Sequence, residues 1–147
     1  MSIVNRRARH DYHILETYEA GLILTGPEVK SIRAGQANLA EAHCIIRKEK
    51  VILIGCNISP YKPAAMQNPS DPARSRQLLL HKAEIRRLSG KLKEKGLTLV
   101  PLKLYFNERG FAKLKIGLAQ GKKHYDKRQA IKERDVKRYL DRQYKTR

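Results

Sequence analysis

The stretch LTLVPLKLYFNERGFAKLKIGLA, residues 97–119, decides the fold. Apolar and polar residues alternate on both sides of Asn107-Glu108-Arg109-Gly110, so the pattern predicts two antiparallel strands joined as a hairpin. Each strand would turn four apolar residues to one face: Val100, Leu102, Leu104 and Phe106 on the first, Ala112, Leu114, Ile116 and Leu118 on the second. Both faces can meet one core only if the loop has an odd residue count or contains a bulge, which we expect at Gly110.

The opposite face of this hairpin mixes basic and aromatic residues: Lys103, Tyr105, Phe111, Lys113 and Lys115. Such a mixture on a curved sheet suits nucleic acid, because rings stack on bases and lysines attract phosphates. A solvated outer face, with two aromatic residues chosen for β-propensity, is an equally open interpretation.

The neighbouring segments predict further short elements. Residues 12–24 alternate loosely and favour a strand with a bend or bulge at 19–21, and residues 43–58 favour a hairpin around a charged turn at 48–50. Thr25-x-x-Glu28 fits a capping box that opens a helix from about 26 to 34.

Residues 59–96, which precede the long hairpin, predict one loop and one helix. Residues 59–77 hold four of the six prolines and indicate a long surface loop. Ile85, Leu88 and Leu92 follow helical spacing and predict a helix within residues 78–96.

Together these elements indicate a mainly β protein. Antiparallel strands, two or three short helices and no βαβ rhythm favour an OB-like antiparallel β-barrel, with a β-sandwich as the alternative. The interpretation divides the chain into a basic N-terminal arm (1–11), the barrel (12–120) and a flexible basic tail (121–147).

The formal net charge of +18 is concentrated at the two ends of the chain. Eleven of the 27 residues from Gly121 to Arg147 are lysine or arginine, against four acidic ones. A field of this sign attracts polyanions such as RNA, DNA, a ribosome or an anionic membrane. The membrane is the weakest of these, because the chain has no apolar run of about 18 residues and no signal-peptide pattern.

The sequence offers little chemistry. Cys44 and Cys56 stand outside any ligand spacing and are interpreted as buried free thiols in the cytoplasm. His10 and His13 would point to opposite faces of a strand, which disfavours a metal site. Without a nucleophile–base pair or a cofactor motif, we expect no enzyme, no cofactor and no metal.

Four collinear segments carry a family resemblance: NRRARHDY (5–12), EAGLILTGPEVKSIRAGQANL (19–39), DPARSRQLLLHK (71–82) and GKKHYDKRQAIKERD (121–135). Together they resemble the SsrA-binding protein (small protein B) family over nearly the entire chain. The resemblance implies an OB-type barrel that binds the tRNA-like domain of transfer-messenger RNA (tmRNA) for trans-translation, the rescue of stalled ribosomes.

The resemblance also implies partners and a role for the tail. The tail would be disordered in the free protein and helical in the mRNA channel near the small-subunit decoding centre. The partners would be tmRNA and the ribosome, with elongation factor Tu and alanyl-tRNA synthetase engaged through tmRNA, and the protein would be a cytoplasmic monomer away from the membrane.

The resemblance places the family's RNA-binding positions on Asn5, Glu19 and Leu79, with Arg6, Arg7, Arg9 and His10 around them. Asn5 could donate and accept at a base edge, while arginines suit phosphates. Lys30 and Arg33, three residues apart on the short helix, could reach one phosphate track, or could belong to a solvated helix face.

Glu19 and Leu79 need arguments of their own, because neither attracts phosphate. The Glu19 carboxylate could accept hydrogen bonds from guanine's Watson–Crick edge, or could hold an arginine in place. Leu78 and Leu80 can share one face of an extended segment, which turns Leu79 outwards onto a base or sugar; core packing of Leu79 remains the alternative.

The tail carries the remaining candidates, namely Lys122, Lys123, Tyr125, Asp126, Lys127, Arg128, Lys132 and Arg134. We expect its cations to bind phosphates, Asp126 to cap a helix and Tyr125 to stack on a base. A tail with so few apolar residues would fold only against RNA. Charge alone leaves a structural ribosomal protein as the rival interpretation, and a nuclease as a third.

Overall fold

The computed structural model describes residues 2–60, 71–94 and 96–122 of the 147-residue chain. Nine strands and three short helices occur within these ranges. In chain order they are β1 (Ser2–Val4), α1 (Arg6–Asp11), β2 (Tyr12–Leu22), α2 (Gly26–Arg33), β3 (Ala37–Asn38), β4 (His43–Arg47), β5 (Lys50–Ile54), β6 (Asn57–Ile58), β7 (Arg76–Leu79), α3 (Lys82–Lys91), β8 (Leu97–Phe106) and β9 (Ala112–Gly121).

Antiparallel pairing joins most strands into one sheet that returns to its start. The order is β1-β8-β4-β5-β7-β2-β9, and β9 also pairs with β8. The six strands β8, β4, β5, β7, β2 and β9 therefore each pair with two neighbours in a closed ring. In addition, β1 pairs with β8, and β3 and β6 form a separate two-stranded sheet. The prediction of a mainly β, OB-like antiparallel fold is confirmed.

The register of the β8–β9 hairpin confirms one alternative of the sequence argument and corrects the other. Phe106 pairs with Ala112, so the loop spans residues 107–111 and has an odd residue count. Gly110 lies in this loop with φ of 83°, a conformation that glycine adopts without strain. The bulge, however, is in β8 between Pro101 and Lys103, not at Gly110.

This bulge makes the predicted apolar face of β8 wrong, because it reverses the alternation of side chains. Leu99 and Leu104 face the main core, whereas Val100 and Leu102 face the opposite side. There they form a second cluster with Ala8 of α1 and Ala119 of β9. A bulge changes which side of a strand the following residues face, so β8 can contribute side chains to both hydrophobic clusters.

Residues 2–11, interpreted as a basic arm, form β1 and α1. The Asn5 side chain caps α1 by accepting a hydrogen bond from the Ala8 N–H, and Ala8 itself is 3% exposed. A helix of six residues is unstable alone, so it depends on its cap and on packing against β8.

Other local predictions divide between confirmed and wrong. The Thr25–Glu28 capping box and the β4–β5 hairpin are confirmed. The bulge of β2 lies between Ile14 and Glu16 rather than at residues 19–21. The helix predicted within residues 78–96 is α3. It begins only at Lys82, because residues 76–79 pair with β2 and β5 as a strand.

The main core also holds the two cysteines, which are free and buried as predicted. Burial raises the pKa of both thiols, that of Cys56 to about 11. Both therefore stay protonated at neutral pH, as structural thiols do.

A buried ion cluster ties α2 to the segment that leads into β7. Arg76 is 1% exposed, and its guanidinium donates to Glu28 Oε2 (Nε–Oε2 2.7 Å) and to the Cys56 carbonyl (Nη1–O 2.7 Å). Arg74, which is one-third exposed, also donates to the Glu28 carboxylate. The side chain that caps α2 therefore also fixes the start of β7.

This cluster predicts a loss of stability in acid. Burial raises the pKa of Glu28, but hydrogen bonds from Arg74, from the Thr25 N–H and from Arg76 lower it further, to about 2. Because the folded pKa lies below the ordinary 4.5, the stabilisation is complete above pH of about 4.5 and disappears as the pH falls towards 2. Near neutral pH the free energy of unfolding of Glu28→Gln should be lower than that of wild type by about 3 kcal/mol. Urea unfolding measured at decreasing pH should show this difference disappear. A constant difference across this range would contradict the assignment.

Candidate nucleic-acid interface

The outer face of the three adjacent strands β2, β9 and β8 collects most of the predicted basic and aromatic side chains. Glu19 pairs with Lys115, and Gly21 with Lys113. On the other side of β9, Lys115 pairs with Lys103 and Lys113 with Tyr105. Phe111 lies in the hairpin loop, immediately before β9, and is 62% exposed.

Glu19 is held on this face by two neighbours. The Tyr105 hydroxyl donates to Glu19 Oε2, and the Lys113 ammonium lies 4.0 Å from Oε1. Burial, the hydrogen bond to Glu19 and the charge of that carboxylate raise the pKa of Tyr105 to about 12, so the hydroxyl stays a donor. The Glu19 side chain remains 56% exposed, which leaves its oxygens accessible to a partner.

Leu79 lies beside Glu19 in a single open cleft. Leu79 is 54% exposed while Leu78 is 1% exposed, so the prediction that Leu79 turns outwards is confirmed. The cleft has a volume of about 500 Å³ and is lined by Glu19, Gly21, Leu79, Leu80, His81, Glu84 and Lys113. Gly21 lies directly against Leu79, since a Cβ at Gly21 would be in van der Waals contact with the Leu79 Cβ at 3.4 Å.

This cleft combines the chemistry that an unstacked base requires. An apolar side chain provides a surface for a base or sugar, and a carboxylate beside it can accept hydrogen bonds from a base edge. A lysine completes the set with a cation for a phosphate. The structure thus brings together two candidates, Glu19 and Leu79, that are 60 positions apart in the chain.

Asn5 is buried and hydrogen-bonded within the protein, which disagrees with its predicted place at a base edge. It is 5% exposed, and its amide nitrogen donates to the carbonyls of Leu39 (3.2 Å) and Pro101 (2.8 Å). Its oxygen caps α1, as described above. Its side chain and its backbone N–H thus join the start of α1 to the barrel, so Asn5 positions the basic helix.

The remaining candidates on α1 differ in their partners. Arg7 is bound to two carboxylates, with Nη1 2.5 Å from Glu41 Oε1 and Nε 3.5 Å from Asp11 Oδ2. His10 Nδ1 lies 2.9 Å from Asp11 Oδ1, and that contact is the leading cause of the lowered pKa of Asp11. Arg6, Arg9 and His10 are exposed, and they are better placed than Arg7 to meet phosphates.

Lys30 and Arg33 lie on α2 and are both exposed. The Arg33 guanidinium packs over the Phe106 ring, 4.5 Å from its centroid, close to the loop of the β8–β9 hairpin. Neither residue lines the Glu19–Leu79 cleft, so the structure does not join them to it.

Of the tail candidates only Lys122 is described. Gly121 ends β9 by pairing with Tyr12, and Lys122 follows it beside His10 and Asp11. The tail therefore leaves the barrel next to α1. Lys123, Tyr125, Asp126, Lys127, Arg128, Lys132 and Arg134 lie outside the described residues.

Sequence reasoning missed the partners of Glu19. Tyr105 and Lys113 were placed on an outer face, but their contact with Glu19 depends on the order β2-β9-β8, which no local pattern reveals. Within the described residues no cluster of three metal-binding side chains is found, and no helix there is long and apolar enough to cross a membrane.

Comparison with known proteins identifies close relatives. The family model described as SmpB protein matches residues 2–146. The SsrA-binding protein of Desulforamulus reducens is 56% identical over 138 residues, which are 94% of this chain and 85% of that protein. The SsrA-binding protein of Thermus thermophilus is 55% identical over 137 residues, which are 93% of this chain and 94% of that protein.

A solved structure agrees with these relatives. The chain superposes with a TM-score of 0.70 and 55% identity on a structure described as "tmRNA-SmpB: a journey to the center of the bacterial ribosome". The match covers 82% of this chain and 84% of the other.

Proposed function

The chain belongs to the SmpB protein family, and from this premise we propose that it binds the tRNA-like domain of tmRNA and delivers it to stalled ribosomes for trans-translation. The protein acts as a cytoplasmic, non-enzymatic adaptor. Its barrel binds tmRNA, and its tail probes the empty mRNA channel and the decoding centre.

The observation that carries the proposal is the Glu19–Leu79 cleft on a basic face. A carboxylate repels phosphate, so its place among lysines argues for recognition of a base rather than for attraction to charge alone. Leu79 supports this interpretation, because an outward leucine beside that carboxylate offers a base or sugar a surface to pack on.

The position of the tail supports a division of labour. The tail leaves the barrel at the Tyr12 end of β2, whereas Glu19 lies seven residues further along that strand. At roughly 3.3 Å per residue the two points are about 20 Å apart. One RNA can therefore occupy the cleft while the tail engages another.

The proposal is tested by competition for the purified protein at high salt. The tRNA-like domain of tmRNA should displace ordinary tRNA, because base contacts survive screening better than phosphate contacts do. Equal affinity for the two RNAs would contradict it. A structural ribosomal protein would in addition remain on washed ribosomes instead of cycling with tmRNA.

Glu19→Ala should weaken binding of the tRNA-like domain by about 10- to 100-fold, the range for a lost hydrogen bond to a charged group. The slope of log K against log salt should change little, since no phosphate contact is removed. Arg6→Ala is the contrasting variant: it should lower the slope by about one. Unchanged affinity of Glu19→Ala would show that the base-edge role is wrong.

A further inference from the structure

The face beside Glu19 contains a pair of like charges at directly opposite positions. Lys103 of β8 and Lys115 of β9 are cross-strand partners, and Lys113 lies two residues further along β9 on the same face. Like charges at such positions destabilise a sheet. The fold therefore tolerates a local cost here.

Among these three lysines, Lys113 forms an ion pair with Glu19. Glu19 pairs in register with Lys115, but its oxygens contact the Tyr105 hydroxyl and approach Lys113. Lys103 lies over the Tyr105 ring, 5.5 Å from its centroid. Tyr105 thus contacts Lys103 through its ring and Glu19 through its hydroxyl.

We propose that Lys103 and Lys115 form a phosphate track that binds the backbone of the same RNA whose base enters the Glu19–Leu79 cleft. This inference rests on the proposed function and extends its site to residues that the family resemblance did not supply. A polyphosphate backbone fits the track because it relieves the repulsion between the two ammonium groups when it binds, releasing counterions as it does.

Tyr105 gives the track its register relative to the cleft. Its ring supports Lys103 and its hydroxyl orients Glu19, so the phosphate-binding and base-reading groups are fixed on one rigid sheet. Groups that are ordered before binding cost less conformational entropy when RNA arrives. The track thus sets the direction in which the strand crosses the cleft.

The test uses Lys103→Gln/Lys115→Gln, which removes both charges and keeps most of each side chain. Binding of the transcribed tRNA-like domain should fall at least tenfold, and the salt slope should decrease by about 1.4 to 1.8, the value for two phosphate contacts. Thermal stability of the free variant should be unchanged or higher, because the like-charge repulsion is gone.

The chain offers a matched control in Arg47→Gln/Lys50→Gln. These residues are also exposed cross-strand partners of like charge, on the β4–β5 hairpin, so the control loses the same net charge. It should keep the wild-type salt slope. If both double variants bind alike, or if the Lys103/Lys115 variant loses affinity only together with stability, the track is refuted. If wild type itself fails to bind the domain, the proposed function fails instead.

Discussion

Arg76→Ala is expected to lower the free energy of unfolding by about 3–5 kcal/mol, the range for removing one partner of a buried ion pair. The guanidinium donates to Glu28 Oε2 and to the carbonyls of Cys56, Arg74 and Pro72, and alanine satisfies none of them. Glu28, itself 3% exposed, would keep a charge inside the protein with only part of its compensation. Urea unfolding followed by circular dichroism measures the loss.

Arg74→Ala is the matched control for this experiment. Arg74 donates to the same carboxylate, but its side chain is 33% exposed. Water can replace much of what is lost there, so we expect a cost of about 1 kcal/mol or less. Equal costs for the two variants would show that burial of Arg76 contributes nothing special.

The effect of Arg76 should extend to the candidate site. Arg76 opens β7, and Leu79 closes it beside Gly21 of β2. A loosened start of β7 would therefore disturb the register that turns Leu79 into the cleft. Through this link we expect the buried Arg76–Glu28 pair to influence the Glu19–Leu79 cleft, although neither residue lines it.

The sequence correctly predicted those features that depend on contacts between residues close together in the chain. The Thr25–Glu28 capping box depends on two residues three positions apart, and the structure contains both of its hydrogen bonds. The outward Leu79 followed from alternation within one short segment. Predictions of this kind need no knowledge of the rest of the fold.

Long-range contacts explain what the sequence argument missed. Glu28 fits a cap, but its pairing with Arg76 joins positions 48 apart. The bulge at Leu102 lies where Ala8 of α1 packs with Val100, Leu102 and Ala119, and α1 itself is held by the Asn5 cap. Neither element is stable by its own propensity, so neither leaves a local signal.

The structural role of Asn5 also depends on long-range contacts. The family resemblance implies an RNA contact for Asn5, yet both of its amide hydrogens are used by carbonyls 34 and 96 positions away. Only the tertiary structure shows that Asn5 holds the helix in place, while Arg6 and Arg9 beside it are exposed.

Deletion of residues 123–147 should abolish tagging of stalled peptides while leaving binding of the tRNA-like domain within a few-fold of wild type. The cut preserves β9, which ends at Gly121, and the cleft about 20 Å away along β2. Quantitative blotting of tagged product in a reconstituted translation system measures the first effect, and filter binding measures the second. Parallel loss of both would show that the tail belongs to the tmRNA site.

Deletion also removes ten basic and four acidic residues, so charge must be separated from structure. A variant with the tail residues in scrambled order keeps the composition but removes the Asp126-x-x-Gln129 pattern that predicts a helix cap and the i,i+4 spacing of Glu133 and Lys137. If the tail acts as a helix that orders inside an RNA channel, the scrambled variant should tag no better than the deletion, because charge alone cannot repay the cost of ordering a chain. Restored tagging by the scrambled tail would instead make it a simple electrostatic tether.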